Sequence, residues 1–120
     1  MGCYMFTGKN NAKSWDGRIY NPDTGRGAKL QALFKGFEME VIADYFTSGG
    51  TDFLLIADMR NKIDAHAFGR AMMACGMLTE DPIITELLTL DEYAQMLKRA
   101  SEFTYPVPWA ESKVGVDFVP

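Results

Sequence analysis

The side chains best suited to chemistry in this sequence are His66 and Arg70, which stand four residues apart in a segment that predicts a helix. Residues at this spacing lie one turn apart on the same helix face, so both groups would point in one direction. A titratable imidazole beside the fixed fork of a guanidinium could bind or polarise an anionic ligand. A solvated helix face is the more common use of such a pair, and the sequence leaves both interpretations open.

Four carboxylates in the predicted strands form a second candidate group: Glu40, Asp44, Asp58 and Glu86. Their parity predicts that they share a sheet face with Ile42, Ile56 and Leu88. Clustered carboxylates could hold a hard cation or perform acid–base chemistry. The alternative is that they are edge charges, paired with Lys or Arg, that discourage sheet aggregation. With one histidine and two cysteines outside any CxxC spacing, no metal site and no cofactor are predicted.

Aromatic residues with a polar handle could line a small apolar cavity. They are Trp15, Tyr20, Tyr45 and Trp109. The predicted ligand-binding set is therefore Trp15, Tyr20, Tyr45, His66 and Arg70, although packing in a core or interface is the more frequent use of such aromatics. No catalytic triad order, phosphate-binding loop, dinucleotide fingerprint or nucleic-acid motif is present, so no catalytic residue is assigned.

Length and composition predict one globular domain, because 120 residues with 48% hydrophobic content suit a single core. The net charge of -4 argues against non-specific binding to nucleic acid or to an anionic membrane. The sequence has neither an apolar run of about 20 residues nor the pattern of a signal peptide, so a cytoplasmic location is expected. Cys3 and Cys75 are expected to be buried thiols.

Four strands and three helices are predicted to position these side chains. The strands are residues 3–8, 38–47, 52–59 and 82–88, and the helices are residues 21–35, 65–75 and 90–102. Asn21, Asp64 and Thr89 are expected to cap the three helices. The adjacent Gly49 and Gly50 predict a hairpin turn, because glycine readily adopts positive φ. A proline at the start of the fourth strand suits a sheet edge.

The element order β-α-β-β-α-β predicts an α+β fold of the ferredoxin-like type, an antiparallel four-stranded sheet with two helices on one face. The third helix and a tail follow this unit. We predict a domain over residues 1–103 and an extended tail over residues 104–120. The tail is expected to dock on the domain or on a neighbouring subunit, because the large apolar side chains of Trp109 and Phe118 are unfavourable in a terminus that is free in water.

The third strand, Phe53–Ala57, is apolar on both of its faces, so both faces must be covered. The chain's helices can cover one face, and a second copy is expected to cover the other through a twofold interface. The residues predicted to share that face and form the interface are Ile42, Phe46, Leu54, Ile56, Ile84 and Leu88. Which sheet face meets the helices is left open by the sequence.

The order of motifs along the chain resembles the GYD domain family, small proteins of the dimeric α/β-barrel group. The matching segments are Tyr4–Lys9, Ser14–Trp15, Ile19–Pro22, Arg26, Leu33–Phe34, Ala65–Gly76 and Thr85–Leu90. The Gly-Tyr-Asp triplet that names the family corresponds here to Gly50, Thr51 and Asp52, so the tyrosine hydroxyl is replaced. The resemblance covers residues 3–100. It implies the ferredoxin-like fold and a dimer whose sheets close into a barrel, and it implies no particular activity.

The leading hypothesis is a homo-oligomeric GYD-type domain that binds a small organic molecule or a partner. The second is a cofactor-independent monooxygenase or isomerase of the dimeric α/β-barrel group, by analogy of fold alone. The third is a purely structural assembly subunit whose tail clamps a neighbour. An enzyme is expected to have a closed cavity with a polar group converging on it. A binding domain or an assembly subunit is expected to be solidly packed in the same region.

Overall fold

The computed structural model describes residues 2–20, 22 and 26–106. The chain divides into two compact units, Met1–Leu87 and Leu88–Pro120. In chain order the elements are β1 (Gly2–Gly8), α1 (Ala12–Tyr20), α2 (Arg26–Gly36), β2 (Glu40–Phe46), β3 (Phe53–Met59), α3 (Lys62–Ala74), β4 (Ile83–Leu87) and α4 (Leu90–Ala100). This α+β architecture, with a four-stranded antiparallel sheet and four helices, is compatible with the predicted ferredoxin-like fold.

The four strands form one antiparallel sheet in the order β2-β3-β1-β4. β4 lies at an edge, as the proline before it predicts. The turn between β2 and β3 contains Gly49 and Gly50 with φ of 95° and 85°, which confirms the predicted glycine hairpin. All four predicted strands are therefore present, with ends within about two residues of the expected ones.

One face of the sheet is covered by helices and contains the core of the first unit, and we call it the helix-covered face. Its buried members are Tyr4, Phe6, Leu55, Ala57 and Met59, and the helices add Phe34, Ala65 and Phe68. The Phe68 ring lies 5.2 Å from the Phe6 ring and 5.4 Å from the Phe37 ring, in edge-to-face geometry. Such aromatic pairs stabilise a core beyond the area that they bury.

The opposite face of the sheet, the open face, carries side chains at alternate positions that are only partly buried or exposed. Its apolar members are Cys3, Met5, Ala43, Tyr45, Leu54, Ile56, Ile83 and Leu87. The third strand is therefore apolar on both faces, as the sequence predicts. The helices that form the core of this unit pack against the other face.

The prediction that six interface residues share one face is wrong for part of the set. Leu54 and Ile56 lie on the open face, but Phe46 pairs opposite Phe53 and Ile84 pairs opposite Phe6, on the helix-covered face. An irregular register between Val41 and Ala43 inverts the parity of β2 beyond that point, and it leaves Ile42 exposed at the irregularity. Leu88 follows β4 and belongs to the second unit.

The helix α1 is not among the predicted elements, because residues 9–14 are almost all polar and show no apolar helical period. Its start is fixed by Asn11, whose Oδ1 accepts a hydrogen bond from the Ser14 backbone at 2.9 Å. Asn11 is itself held by a distant segment, because its backbone N–H donates to the Met77 carbonyl at 2.9 Å and its amide donates to the Gly76 carbonyl at 2.6 Å. Contacts this remote in sequence cannot be recognised from local pattern.

The helix α2 begins at Arg26, later than expected, and the predicted cap Asn21 lies outside the described residues. α3 is capped by Asn61, whose Oδ1 accepts from the Asp64 backbone at 2.8 Å, so the prediction of Asp64 as cap is wrong. Asp64 instead lies in the first turn and pairs with Arg60 at 3.0 Å. α3 ends in front of Gly76, which has a φ of 76°.

The two cysteines are not both buried, contrary to expectation. Cys75 is exposed at the end of α3, where its Sγ donates to the Met72 carbonyl at 2.8 Å, and Cys3 on the open face is partly buried. The exposure of Cys75 results from the end of α3 at that residue, and the exposure of Cys3 results from its position on the uncovered sheet face. Neither can be predicted from the general preference of free cysteine for burial.

The second unit contains α4, which begins with the predicted capping box of Thr89 and Glu92. Its side chains are all exposed, including Tyr93, Met96, Leu97 and Ala100, which repeat at helical spacing. The predicted extended tail is described only to residue 106, and Trp109 and Phe118 lie outside the described residues.

Glu38, two residues after the end of α2, has a φ of 55°. This left-handed conformation is unfavourable for every residue that has a Cβ. Its backbone closes the helix, because Glu38 N–H donates to the Lys35 carbonyl at 3.0 Å. We expect Glu38→Gly to raise the free energy of unfolding by about 0.5–1 kcal/mol, measured by urea denaturation, because glycine removes the strain.

The control is Glu38→Gln, which keeps the strained backbone and removes only the charge that lies 3.5 Å from Arg60. Both side chains of that ion pair are largely exposed, so we expect Glu38→Gln to change stability by less than about 0.5 kcal/mol. If the Glu38→Gly protein were less stable than the wild type, the backbone at Glu38 would not be strained.

Candidate ligand-binding site

A large cavity that is partly open to solvent lies in the first unit, between the helix-covered face of the sheet and the helices. Its volume is about 690 Å³, within the range of about 300–1,000 Å³ that is typical of small-molecule sites. The lining residues are Asn10, Arg18, Lys29, Leu30, Leu33, Phe34, Asp44, Phe46, Phe53, Leu55, Phe68, Ala71, Met72, Cys75, Met77 and Leu78. The wall is thus mostly apolar, with a few polar side chains.

The sheet forms one wall of the cavity through Phe46 and Phe53, which pair across β2 and β3. Gly8 on β1 makes room for the Phe53 ring, because a Cβ at Gly8 would lie 2.8 Å from the ring. The opposite wall is formed by α3, whose residues Phe68 and Ala71 lie about one turn apart on the same helix face. The site is therefore built on regular elements.

Asn10 is the most buried polar residue in the cavity wall, with 6% of its surface exposed. It follows β1 and forms an isolated β-bridge with Leu78, while its backbone N–H donates to Asp52 Oδ2 at 2.7 Å. Among the described residues, nothing accepts a hydrogen bond from its side-chain Nδ2, although that atom is buried. A buried donor without an acceptor is uncommon in folded proteins.

Three charged residues also line the cavity. The Arg18 guanidinium lies over the Phe46 ring, 5.0 Å from its centroid, in cation–π geometry. Lys29 and Asp44 form no ion pair with any residue in the described part of the chain. The cavity thus has an apolar body, one buried amide, two cations and one carboxylate.

His66 and Arg70 lie together, as the sequence predicts, but in a second and smaller pocket of about 220 Å³. There the Arg70 Nη1 contacts Asp81 Oδ1 at 3.0 Å, and both side chains are largely exposed. The guanidinium already faces a carboxylate, so an anion would have to compete with Asp81. This competition weakens the site as an anion binder.

The three predicted ligand-binding aromatics that the structure describes lie elsewhere. Trp15 and Tyr20 are exposed on α1, Tyr20 to 76%, and Tyr45 is exposed on the open face of the sheet. They line neither cavity. The aromatic lining comes from Phe34, Phe46, Phe53 and Phe68, of which Phe46 belongs to the predicted interface and Phe53 to the predicted third strand. Asn10 lies among polar residues of the sequence and matches no motif, and Trp109 lies outside the described residues.

The four strand carboxylates do not share a face. Glu40 and Asp58 pair opposite each other on the open face, whereas Asp44 and Glu86 lie on the helix-covered face, opposite Leu55 and Tyr4. In the described ranges, no three His, Cys, Asp or Glu side chains lie close enough together to hold a metal ion. None of the four carboxylates pairs with a Lys or Arg of those ranges either.

No family model, curated protein or solved structure matches this chain. Among the described helices, none has both the length and the apolar character that crossing a bilayer requires.

Proposed function

We propose that this protein is a homo-oligomeric domain that binds a small, largely apolar organic molecule in the 690 Å³ cavity. The observation that carries the proposal is the cavity itself, with its apolar walls and its buried amide from Asn10. The space is open to solvent, since Lys29, Asp44 and Phe46 in its wall are exposed. A concave and mostly apolar surface of this size supports a ligand site.

The oligomer in this proposal is a dimer formed by the open face of the sheet. The central positions of that face are Met5, Leu54 and Ile56, which lie beside one another on β1 and β3. A twofold interface uses one patch twice, so a single apolar face on the chain suffices for a closed dimer. The GYD resemblance of the sequence supports the same arrangement, two sheets facing each other.

Ala71→Trp tests the binding proposal, since Ala71 lines the cavity from α3 and an indole there would occupy its space. We expect the affinity for a neutral apolar fluorophore, N-phenyl-1-naphthylamine, to fall by more than about 10-fold, the equivalent of about 1.4 kcal/mol. The measurement is fluorescence titration, with circular dichroism to verify folding.

The matched control is Ala67→Trp, one turn earlier on the same helix, at an exposed position that does not line the cavity. It is expected to leave the affinity unchanged. If the fluorophore fails to bind the wild type, or if both variants bind it equally well, the binding proposal is rejected. A purely structural assembly subunit then becomes the better proposal.

A second candidate is a cofactor-independent monooxygenase or isomerase, favoured by one observation. The space is not solidly packed, which differs from what was expected of a binding module, and the Asn10 amide lies in its wall. It is not the closed cavity expected of an enzyme either, because Phe46 in its wall is 70% exposed. In a monooxygenase of this kind the substrate supplies the electrons that reduce dioxygen. Oxygen uptake or isomerisation of a bound compound, lost in Ala71→Trp, would support this candidate. Unchanged compound after prolonged incubation would favour binding alone.

A further inference from the structure

We propose that α4 pairs with α4 of a second copy of this chain, antiparallel and across a twofold axis near residue 95. Four apolar side chains of α4 follow one another at spacings of three, four and three residues, the heptad pattern of a coiled-coil seam. We call this set the α4 stripe, and its members are Leu90, Tyr93, Leu97 and Ala100. The contact goes beyond the binding function, because it uses neither the cavity nor the open face of the sheet.

The α4 stripe is a continuous apolar surface that is exposed to water. Leu90 is 89% exposed, and Tyr93 and Leu97 are each 50% exposed. Met96 lies beside the stripe and is exposed as well, so it widens the apolar surface. Most of the stability of an amphipathic helix comes from packing of its apolar face. A contiguous exposed apolar surface of this kind marks an interaction site.

The side-chain sizes along the stripe make it complementary to itself in the antiparallel orientation. A pair centred near residue 95 places Leu90 opposite Ala100 of the second copy, and Tyr93 opposite Leu97. Each layer then combines a larger side chain with a smaller one, as close packing requires. A parallel pair would place Tyr93 against Tyr93 and Ala100 against Ala100. One of these layers would be crowded and the other would contain a void.

The charges of α4 are complementary in the same orientation. The first turn contains Asp91 and Glu92, and the last turn contains Lys98 and Arg99. An antiparallel pair brings the acidic end of each helix beside the basic end of the other, whereas a parallel pair brings like charges together. Such a distribution also stabilises a single helix through its dipole, and these side chains flank the stripe. The sizes therefore determine the orientation, and the charges agree with it.

The α4 stripe is short, so this pairing is expected to be weaker than the dimer formed by the open face. The 11 residues of α4 extend over about 16 Å, and small interfaces are typical of weak association. We therefore expect α4 to pair only at protein concentrations above those at which the open face dimerises. Two different twofold surfaces on one chain then join dimers into larger assemblies.

The association test compares two lysine substitutions in the full chain, Leu97→Lys and Gln95→Lys. Both add one positive charge to α4, but Leu97 lies in the stripe and Gln95 lies on the opposite side of the helix. We expect the average mass of the wild type in sedimentation equilibrium to rise above its low-concentration value as protein is added. Leu97→Lys should weaken this association by more than about 10-fold, because its ammonium group would be buried without a partner.

Gln95→Lys is expected to associate like the wild type. A wild-type mass that does not rise with concentration overturns the inference and indicates that the stripe is covered within its own chain. Equal association of the two variants also overturns it. Because Leu97→Lys leaves the open face intact, dimerisation at low concentration is expected to persist in this variant. Failure of the α4 pair is thus distinguishable from failure of the open-face dimer.

Cross-linking tests the orientation of the pair. The two native thiols are removed by Cys3→Ser and Cys75→Ser, and one cysteine is then introduced as Met96→Cys or as Leu90→Cys. In an antiparallel pair the thiols at position 96 meet near the twofold axis, whereas those at position 90 lie about 15 Å apart along the helices. With a short bismaleimide we expect covalent dimers to form more than about 10-fold faster from position 96.

The chain without cysteines provides the baseline for this measurement. Equal cross-linking from positions 90 and 96 indicates a parallel pair and overturns the proposed orientation. Cross-linking that is slow from both positions at high protein concentration overturns the pairing itself. The sedimentation comparison retains both native cysteines, so it decides the pairing if the chain without cysteines fails to fold.

Discussion

The double variant Leu54→Lys/Ile56→Lys is expected to be a monomer under conditions in which the wild type is a dimer. Both residues lie on the open face of β3, at the centre of the proposed interface. A twofold interface would contain each new ammonium group twice, without partners. Each uncompensated buried charge costs about 3–5 kcal/mol, so the dimer dissociation constant should rise by more than about 100-fold. Sedimentation equilibrium measures this change.

The control for this experiment is the double variant Ile19→Lys/Ile63→Lys. It replaces two isoleucines that are exposed on α1 and α3, so it adds the same charge away from the open face. We expect it to remain dimeric. A wild type that is monomeric at all concentrations, or an open-face variant that dimerises like the control, would eliminate the proposed interface.

Phe68→Ala is expected to be the most destabilising single substitution among the core aromatics of the first unit. Phe68 is 2% exposed, and its ring lies within 6.1 Å of the rings of Phe6, Phe34 and Phe37. Truncation removes these contacts and leaves a void, at a cost of about 3–5 kcal/mol. For a domain of this size the Tm should fall by more than about 12 °C.

The matched control is Phe103→Ala in the second unit. Phe103 is 65% exposed, and its ring is contacted by Arg99 at 4.8 Å. An exposed cation–π pair contributes about 0.5–1 kcal/mol, so this variant should lose little stability. Calorimetry or urea denaturation compares the two. Equal losses for Phe68→Ala and Phe103→Ala would contradict the assignment of Phe68 to the core.

The elements that sequence reasoning predicted correctly depend on local signals. The capping box at Thr89 and Glu92 and the positive φ of Gly49 and Gly50 follow from side-chain and backbone chemistry within a few residues. The strand patterns likewise follow from alternation along the chain. For these features the interacting groups are neighbours in sequence, so the pattern contains the physical cause.

The predictions that failed depend on groups that are distant in sequence. α1 starts where Asn11 bonds to residues 76 and 77, and the face of Phe46 depends on the irregular register between Val41 and Ala43. A shift of one residue in register moves every following side chain to the other face. Composition and periodicity do not determine such a shift.

The candidate site divides in the same way. Local pattern was enough to place His66 and Arg70 on one helix face and to show that β3 has two apolar faces. By contrast, the lining of the larger cavity by Phe46, Phe53 and Phe68, and the burial of Asn10 in its wall, depend on how the elements pack. A cavity is the space left between elements that are remote in sequence, so its lining depends on how strands and helices pack rather than on local pattern.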